Sequence, residues 1–231
     1  ADLSNELGMP ISVSVLKRFL KRLGYCWKRF RKSLKKKQDK AEYEAKCEEL
    51  KQLLSLYHTG YINLFFADES GFNLEGYVPY GWQPKGEYLT ILPSKSPSTQ
   101  IFGIMNLENE LHAYSKKGSM DSRAVIAFID DFHQSIKQPT VIVMDNAPIH
   151  KSHLFQEKVE QWKQDDLFIF FLPTYSPHLN PIEILWRMIK YQWLEYERIQ
   201  NEEQLIEELE RILRTVGSDY FVNFKKSKVS I

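Results

Sequence analysis

Apolar residues recur along this chain at two periods. Short β-branched and aromatic runs at residues 61–74, 88–92, 98–106, 111–116, 140–145 and 167–172 read as strands. Between and around them, residues 12–23, 38–58, 121–137, 152–163 and 201–215 repeat apolar positions at helical spacing. In the first helix Val15, Leu16, Phe19, Leu20 and Leu23 share a face, with Ser12 or Ser14 as cap and Gly24 as stop. The 38–58 helix carries Glu-to-Lys pairs at helical spacing and ends at Gly60. Val125, Ile126, Ile129 and Phe132 form the buried stripe of the next, with Asp130 and Asp131 on a solvated face and Pro139 as its stop. Ser152 caps the helix after that, and Asn201 with Gln204 matches the capping-box spacing. Residues 172–190, LPTYSPHLNPIEILWRMIK, combine a turn stiffened by Pro173, Pro177 and Pro181 with a helix carrying Ile182, Leu185, Trp186 and Ile189. Asn180 suits its N-cap and Pro181 its first position.

The strands before residue 117 suggest an antiparallel meander. The coarse order is three strands, helix, strand, helix, strand, helix, helix, which predicts an α/β fold with a mixed sheet flanked by helices. A content of 43% hydrophobic residues, with 14 Phe, 12 Tyr and 5 Trp, is enough for a large core. No apolar run is long enough to span a bilayer and no signal-peptide pattern is present, so a cytoplasmic protein with no membrane partner is expected. Cys26 and Cys47 lie far apart with no His or Cys cluster and read as two reduced thiols, not a zinc site.

Charge divides the chain. Residues 1–40 hold twelve Lys or Arg against three Asp or Glu, and the remainder nineteen against twenty-seven. A basic arm ahead of a mildly acidic domain suggests a polyanion partner. Lys17, Arg18, Lys21 and Arg22 occupy the polar face of the first helix, and Lys28, Arg29, Arg31 and Lys32 follow, interleaved with Trp27 and Phe30. This reads as the last helix and wing of a helix-turn-helix module that holds DNA phosphates; the alternative is a solvated basic helix. The expected division is a basic arm over 1–37, a linker helix over 38–60 and a catalytic domain over 61–231. A complete module needs more helices than the first thirty residues supply, and the chain starts at Ala1, so a truncated N-terminus is expected. Lys225, Lys226 and Lys228 make a small basic tail.

Three carboxylates stand where α/β sheets build sites. Asp68 and Asp145 end apolar strands, and Glu183 lies in the first turn of the helix after the proline-rich turn. Each has a structural alternative: the aspartates favour turns, and Glu183 with Asn180 resembles a capping box that also suits the helix dipole. Together the three can surround hard cations, since magnesium prefers oxygen ligands. Glu69 alternates to the opposite side of its strand from Asp68 and reads as a residue without a direct catalytic role. His150 either orders a metal-bound water, touches a phosphate, or makes a local hydrogen bond. His178 either approaches DNA or is structural. Trp82, in the turn-rich loop 76–87, covers the core or stacks on a base. No P-loop and no Ser-His-Asp spacing is present.

The motifs ADESGFNLEGYVPYGW, VMDNAPIHKS and LPTYSPHLNPIEILW, in this order over residues 61–191, resemble the catalytic domain of DDE transposases, and more narrowly the bacterial insertion-sequence members of the mariner superfamily. Thirty-seven residues lie between Asp145 and Glu183, slightly more than in many members, which reads as a loop-length difference. The resemblance implies a ribonuclease H-like fold, with Asp68, Asp145 and Glu183 as catalytic metal ligands and Asn146, His150 and Asn180 as active-site support. It implies two Mg2+ ions, for which Mn2+ substitutes, with Asp68 bridging them. The implied reactions are cleavage at transposon ends and strand transfer into target DNA. The implied partners are double-stranded DNA, namely terminal repeats and target, and a second copy of the chain on DNA, at the bacterial nucleoid. A nuclease that cuts without joining, or a non-catalytic DNA-binding derivative, are the alternatives.

Overall fold

The computed structural model describes residues 8, 12–25, 39–74, 98–195 and 199–224. The chain divides into two compact units, Ala1–Lys37 and Gln38–Ile231. In the first, helix α1 spans Val13–Arg22, and the Ser12 side chain accepts the Val15 N–H at its start. Gly24 follows with φ +79°, the left-handed conformation that glycine adopts without penalty at a helix end. Lys17, Arg18, Lys21 and Arg22 lie on α1. Lys28, Arg29, Arg31 and Lys32, the strand expected at 88–92, the loop with Trp82 and the basic tail lie outside the described residues.

The second unit opens with α2 (Lys40–His58), capped by Asp39, whose carboxylate accepts from Ala41 and Glu42 N–H. It continues through β1 (Asn63–Phe72), β2 (Thr99–Met105), β3 (Leu111–Lys117), α3 (Ser122–His133), β4 (Thr140–Met144), α4 (His153–Gln164), β5 (Leu167–Phe171), α5 (Ile182–Met188) and α6 (Glu202–Arg214). The five strands form one sheet in the order β3-β2-β1-β4-β5. β1 pairs antiparallel with β2, and β2 with β3, as a meander. On its other side β1 runs parallel to β4, and β4 to β5. This is the mixed ribonuclease H-like sheet, with helices on both faces.

Alternation along β1 sorts the core. Leu64, Phe66 and Phe72 point to one face, where Leu50 of α2, Leu185 and Trp186 of α5, and Leu205 and Leu209 of α6 cover them. Phe65 and Ala67 point to the other, against Val125 and Ile129 of α3 and Phe155 and Trp162 of α4. The 38–58 stretch is therefore more than a connection. Leu50 is wholly buried, contributing about 2 kcal/mol by its burial.

Asp131 is exposed and Asp130 half-buried, and each also has partners: Asp130 accepts from Trp162 Nε1 at 2.7 Å and Lys158 Nζ at 3.0 Å, and Asp131 from the Tyr114 hydroxyl at 3.0 Å. One expectation needs correction at this helix. The helix expected over 121–137 ends at His133, in a turn where the Gln134 and Ser135 N–H groups bond three residues back, so Pro139 is not what stops it.

Candidate active site

Register places the two aspartates. Phe66 lies opposite Val143 in the last pair of the parallel β1–β4 ladder. Two residues further along each strand, Asp68 and Asp145 therefore share one edge and, by alternation, the face covered by α5. Asp68 lies opposite Gly103 on β2, and Gly103 has no room for a side chain: a Cβ there would come within 2.7 Å of the Trp186 ring. That absence lets the indole lie flat over β2 and donate from Nε1 to Asp68 Oδ2 at 3.1 Å.

The third carboxylate arrives on the proline-rich turn. A 3-10 turn, Pro177–Leu179, precedes α5, and Tyr175 is held at φ +59°, a strained conformation for a bulky residue. Asn180 is not the side-chain cap expected from the sequence. Its Nδ2 donates instead to the Ala67 carbonyl at 2.9 Å, while its backbone carbonyl accepts the Glu183 N–H. The physical reason is the sheet: the paired β1–β4 ladder ends at Phe66 and Val143, so the Ala67 carbonyl just beyond it needs a donor, and burial makes leaving it unpaired costly. One buried amide thus ties the start of the Glu183 helix to the residue before Asp68. Asn146 Nδ2 reaches the Leu172 carbonyl at 3.5 Å, between the ends of β4 and β5. His178 Nε2 meets the Tyr43 hydroxyl of α2 at 3.0 Å, linking the turn to that helix.

The carboxylates feel one another. Burial first, then the charges of Glu183, Glu69 and Asp145, push the Asp68 carboxyl up to about 8. Burial and Asp145 also raise Glu183, against Lys190, in the π-helical turn Ile189–Trp193 that follows α5, and Arg187 on α5 itself. Lys190 is lowered by burial, which Asp68 and Glu183 oppose, and its Nζ lies 5.1 Å from the Phe72 ring centroid. Asp145 is held below the usual carboxylate range by His150, against its burial, with help from the Ala147 N–H. This excess of facing negative charge, on oxygen donors alone, fits a hard divalent cation of the magnesium class.

His150 is 1% exposed and lies between two acids. Its Nε2 is 3.0 Å from Glu69 Oε1, and its Nδ1 is 3.2 Å from Asp145 Oδ1. Burial disfavours the charged imidazole, but the hydrogen bonds and charges of Asp145 and Glu69 outweigh it and raise His150 to about 9. Among the described residues, Glu69, Asp145 and His150 are the set of three acid, His or Cys side chains whose donor atoms all lie within 4.8 Å of one another.

Comparison with known proteins bears on the same residues. The family model described as DDE superfamily endonuclease matches residues 63–206, from β1 into α6. The chain belongs to the DDE superfamily endonucleases. The insertion element IS630 uncharacterized 39 kDa protein of Shigella sonnei is 22% identical to this DDE endonuclease over 220 residues, covering 92% of this chain and 62% of the relative. The Mos1 strand transfer complex superposes with a TM-score of 0.64 at 16% identity, over 92% of this chain and 64% of that one. The catalytic domain of Mos1 mariner transposase superposes with a TM-score of 0.54 at 13% identity, over 81% and 85%. The chain thus spans less than two thirds of the IS630 protein and of the Mos1 chain in the strand transfer complex.

Sequence reasoning on this DDE endonuclease missed four side chains at the site. Trp186 reads as plain core, and only the glycine opposite Asp68 hints that an aromatic ring lies there. Arg187 and Lys190 carry a signal in their spacing, since positions four and seven after Glu183 share its helix face. Glu69, set aside because strand side chains alternate, reaches His150 around the strand end.

Proposed function

We propose that this chain is the catalytic part of a DNA transposase, with Asp68, Asp145 and Glu183 as its metal ligands. What supports the reading is that Asp68 feels the charges of Asp145 and Glu183, brought from a second strand and a helix, within a DDE endonuclease fold. Mg2+ is the expected ion, with Mn2+ as substitute and two ions in the working site; Mos1 paired-end complexes with Mg and with Mn support this choice. When bound, divalent ions supply charge neutralisation at the scissile phosphate and a more acidic water or hydroxyl.

The chain's own residues set the geometry. Trp186 fixes one Asp68 oxygen, and the Ala147 N–H and His150 fix Asp145 Oδ1. Asn180 keeps the Glu183 helix in register with β1. In the first reaction a water oxygen attacks the phosphorus at a transposon end in line, and the P–O3′ bond breaks to leave a 3′-hydroxyl and a 5′-phosphate. In the second, that hydroxyl attacks a target phosphodiester, exchanging one P–O bond for another. No covalent protein–DNA intermediate is needed. Lys17, Arg18, Lys21 and Arg22, with the basic residues that follow, hold duplex phosphates. Two ends must be held at once, so a homodimer on DNA is expected, acting at the bacterial nucleoid.

The test is a cleavage and strand-transfer assay on element-end DNA with Mg2+ or Mn2+. Wild type should cut and join, and Asp145→Asn and Glu183→Gln should do neither while still binding the ends. Cutting without joining would reduce the reading to a nuclease. Binding without either reaction, in a folded wild type, would leave a DNA-binding protein and sink the catalytic reading.

A further inference from the structure

We propose that Glu69 is a positioning residue that fixes Asp145 for metal binding by holding the ring of His150; the inference rests on Asp145 being a metal ligand. Glu69 and Asp68 are neighbours on β1 but serve opposite faces, so the strand delivers one carboxylate to the cation face and the other behind it. Glu69 does not end in solvent. Its side chain is 16% exposed, and its Oε1 meets His150 Nε2 at 3.0 Å. The other ring nitrogen faces Asp145 Oδ1 at 3.2 Å and the Asp145 carbonyl, also at 3.2 Å. Every polar contact around the ring is an oxygen, of Glu69 on one side and of Asp145 on the other. The ring therefore has one orientation in which both bonds are made.

The ring is also held from behind. The short 3-10 turn Pro148–Lys151 that carries it is pinned by Ser122 Oγ, which donates to the Ile149 carbonyl at 2.6 Å, and by Gln156 Nε2, which donates to the His150 carbonyl at 2.7 Å. The Phe155 ring lies against the imidazole, centroid to centroid 5.4 Å. Exposure rises outward from His150 at 1% to Asp145 at 52%, so the anchored end is inside and the aimed end faces the cleft. Asp145 Oδ1 is committed to His150 and to the Ala147 N–H, and among the described residues no donor reaches Oδ2. A carboxylate with one oxygen fixed and one open is prepared for a cation, and groups that orient a ligand in this way commonly affect metal affinity 10–100-fold.

Glu69→Ala removes the anchor. Glu69→Gln keeps an oxygen that accepts from Nε2. His150→Phe keeps the buried ring volume and removes both ring nitrogens. Mn2+ alone is titrated into each full chain, with free Mn2+ read by electron paramagnetic resonance and the fold checked by circular dichroism in EDTA. Glu69→Ala and His150→Phe should weaken Mn2+ binding by about 10–100-fold, and Glu69→Gln should recover most of it. Asp145→Asn is run beside them. If Asp145→Asn loses Mn2+ while Glu69→Ala and His150→Phe bind as wild type does, positioning is refuted and the metal site stands. If Glu69→Gln loses as much as Asp145→Asn, Glu69 is itself a ligand and positioning is again refuted. If Asp145→Asn binds Mn2+ like wild type, the metal reading of the site fails with it. If Glu69→Ala does not fold, His150→Phe and Glu69→Gln decide the matter by the same ordering.

Discussion

Replacing Asp68 with Asn should make the metal-free chain more stable, although it removes a proposed metal ligand. In the fold, burial and three neighbouring carboxylates push the Asp68 carboxyl up to about 8, from an ordinary value of 3.8. The protonated form is therefore favoured by folding, and the destabilisation appears as the unfolded chain releases a proton that the folded chain keeps. It is absent below pH about 4, grows between about 4 and 8, and levels off above. At pH 7 the full effect is about 4 kcal/mol, and solvent reaching the cleft reduces it to about 2 kcal/mol. Asn Oδ1 still accepts from Trp186 Nε1, so the substitution removes the charge without orphaning the indole. The expected gain is about 4–8 °C in Tm at pH 7, under about 1 kcal/mol at pH 5 and about 3 kcal/mol at pH 9. Thermal unfolding of both chains in EDTA at these three pH values reads it directly. Millimolar Mg2+ should close the gap by stabilising wild type alone. A wild type as stable as Asp68→Asn at pH 9 in EDTA, or a difference that shrinks as pH rises, would refute the electrostatic account.

Gly103→Ala should push the Trp186 indole off Asp68, because the new Cβ meets ring atoms at 2.7 and 2.9 Å. Overpacking of this kind costs about 1–3 kcal/mol, and the Trp186 indole N–H resonance should shift with a fall in cleavage. Asn180→Ala leaves the Ala67 carbonyl without its donor, and chemical denaturation should show a loss of about 1–3 kcal/mol. Leu50→Ala should destabilise the catalytic unit by about 2–5 kcal/mol, whereas a helix acting only as a tether would show no loss. Replacing Lys17, Arg18, Lys21 and Arg22 with Ala should reduce the slope of log binding constant against log salt by up to about 3–4, measured by anisotropy on duplex DNA.

The strands that carry Asp68 and Asp145 were readable because alternation and β-branching are local. So was the helix of Glu183, whose apolar residues repeat at helical spacing. What could not be read is what joins them. Asn180 followed by Pro181 fits a helix cap as well as it fits a tether, and the choice was made by a carbonyl on β1 just past the last β1–β4 pair. Glu69 was set aside by a correct rule about strand faces, because the rule says nothing of a histidine 81 residues later that reaches around the strand end. Asp130 and Asp131 look solvated by pattern and in part are, yet the pattern gave no sign of their partners on α4 and β3. Local periodicity thus located the acids, and long-range polar pairs, which leave no periodic trace, decided how each is held.

The Asn180–Ala67 bond also bears on when, on the proposed reading, the site can first act. These two residues are 113 positions apart, so at about 5–20 residues per second a ribosome completes β1 some 6–20 seconds before the turn that brings Glu183. For most of that interval the growing chain has its basic arm and Asp68 alone; Asp145 joins it at residue 145, and Glu183 is still to come. A stalled nascent chain ending before residue 180 should therefore retain duplex DNA on a filter and leave it unnicked, and nicking by such a chain would contradict the inference. On the proposed reading, cutting therefore waits on a segment made more than a hundred residues after the strand it completes.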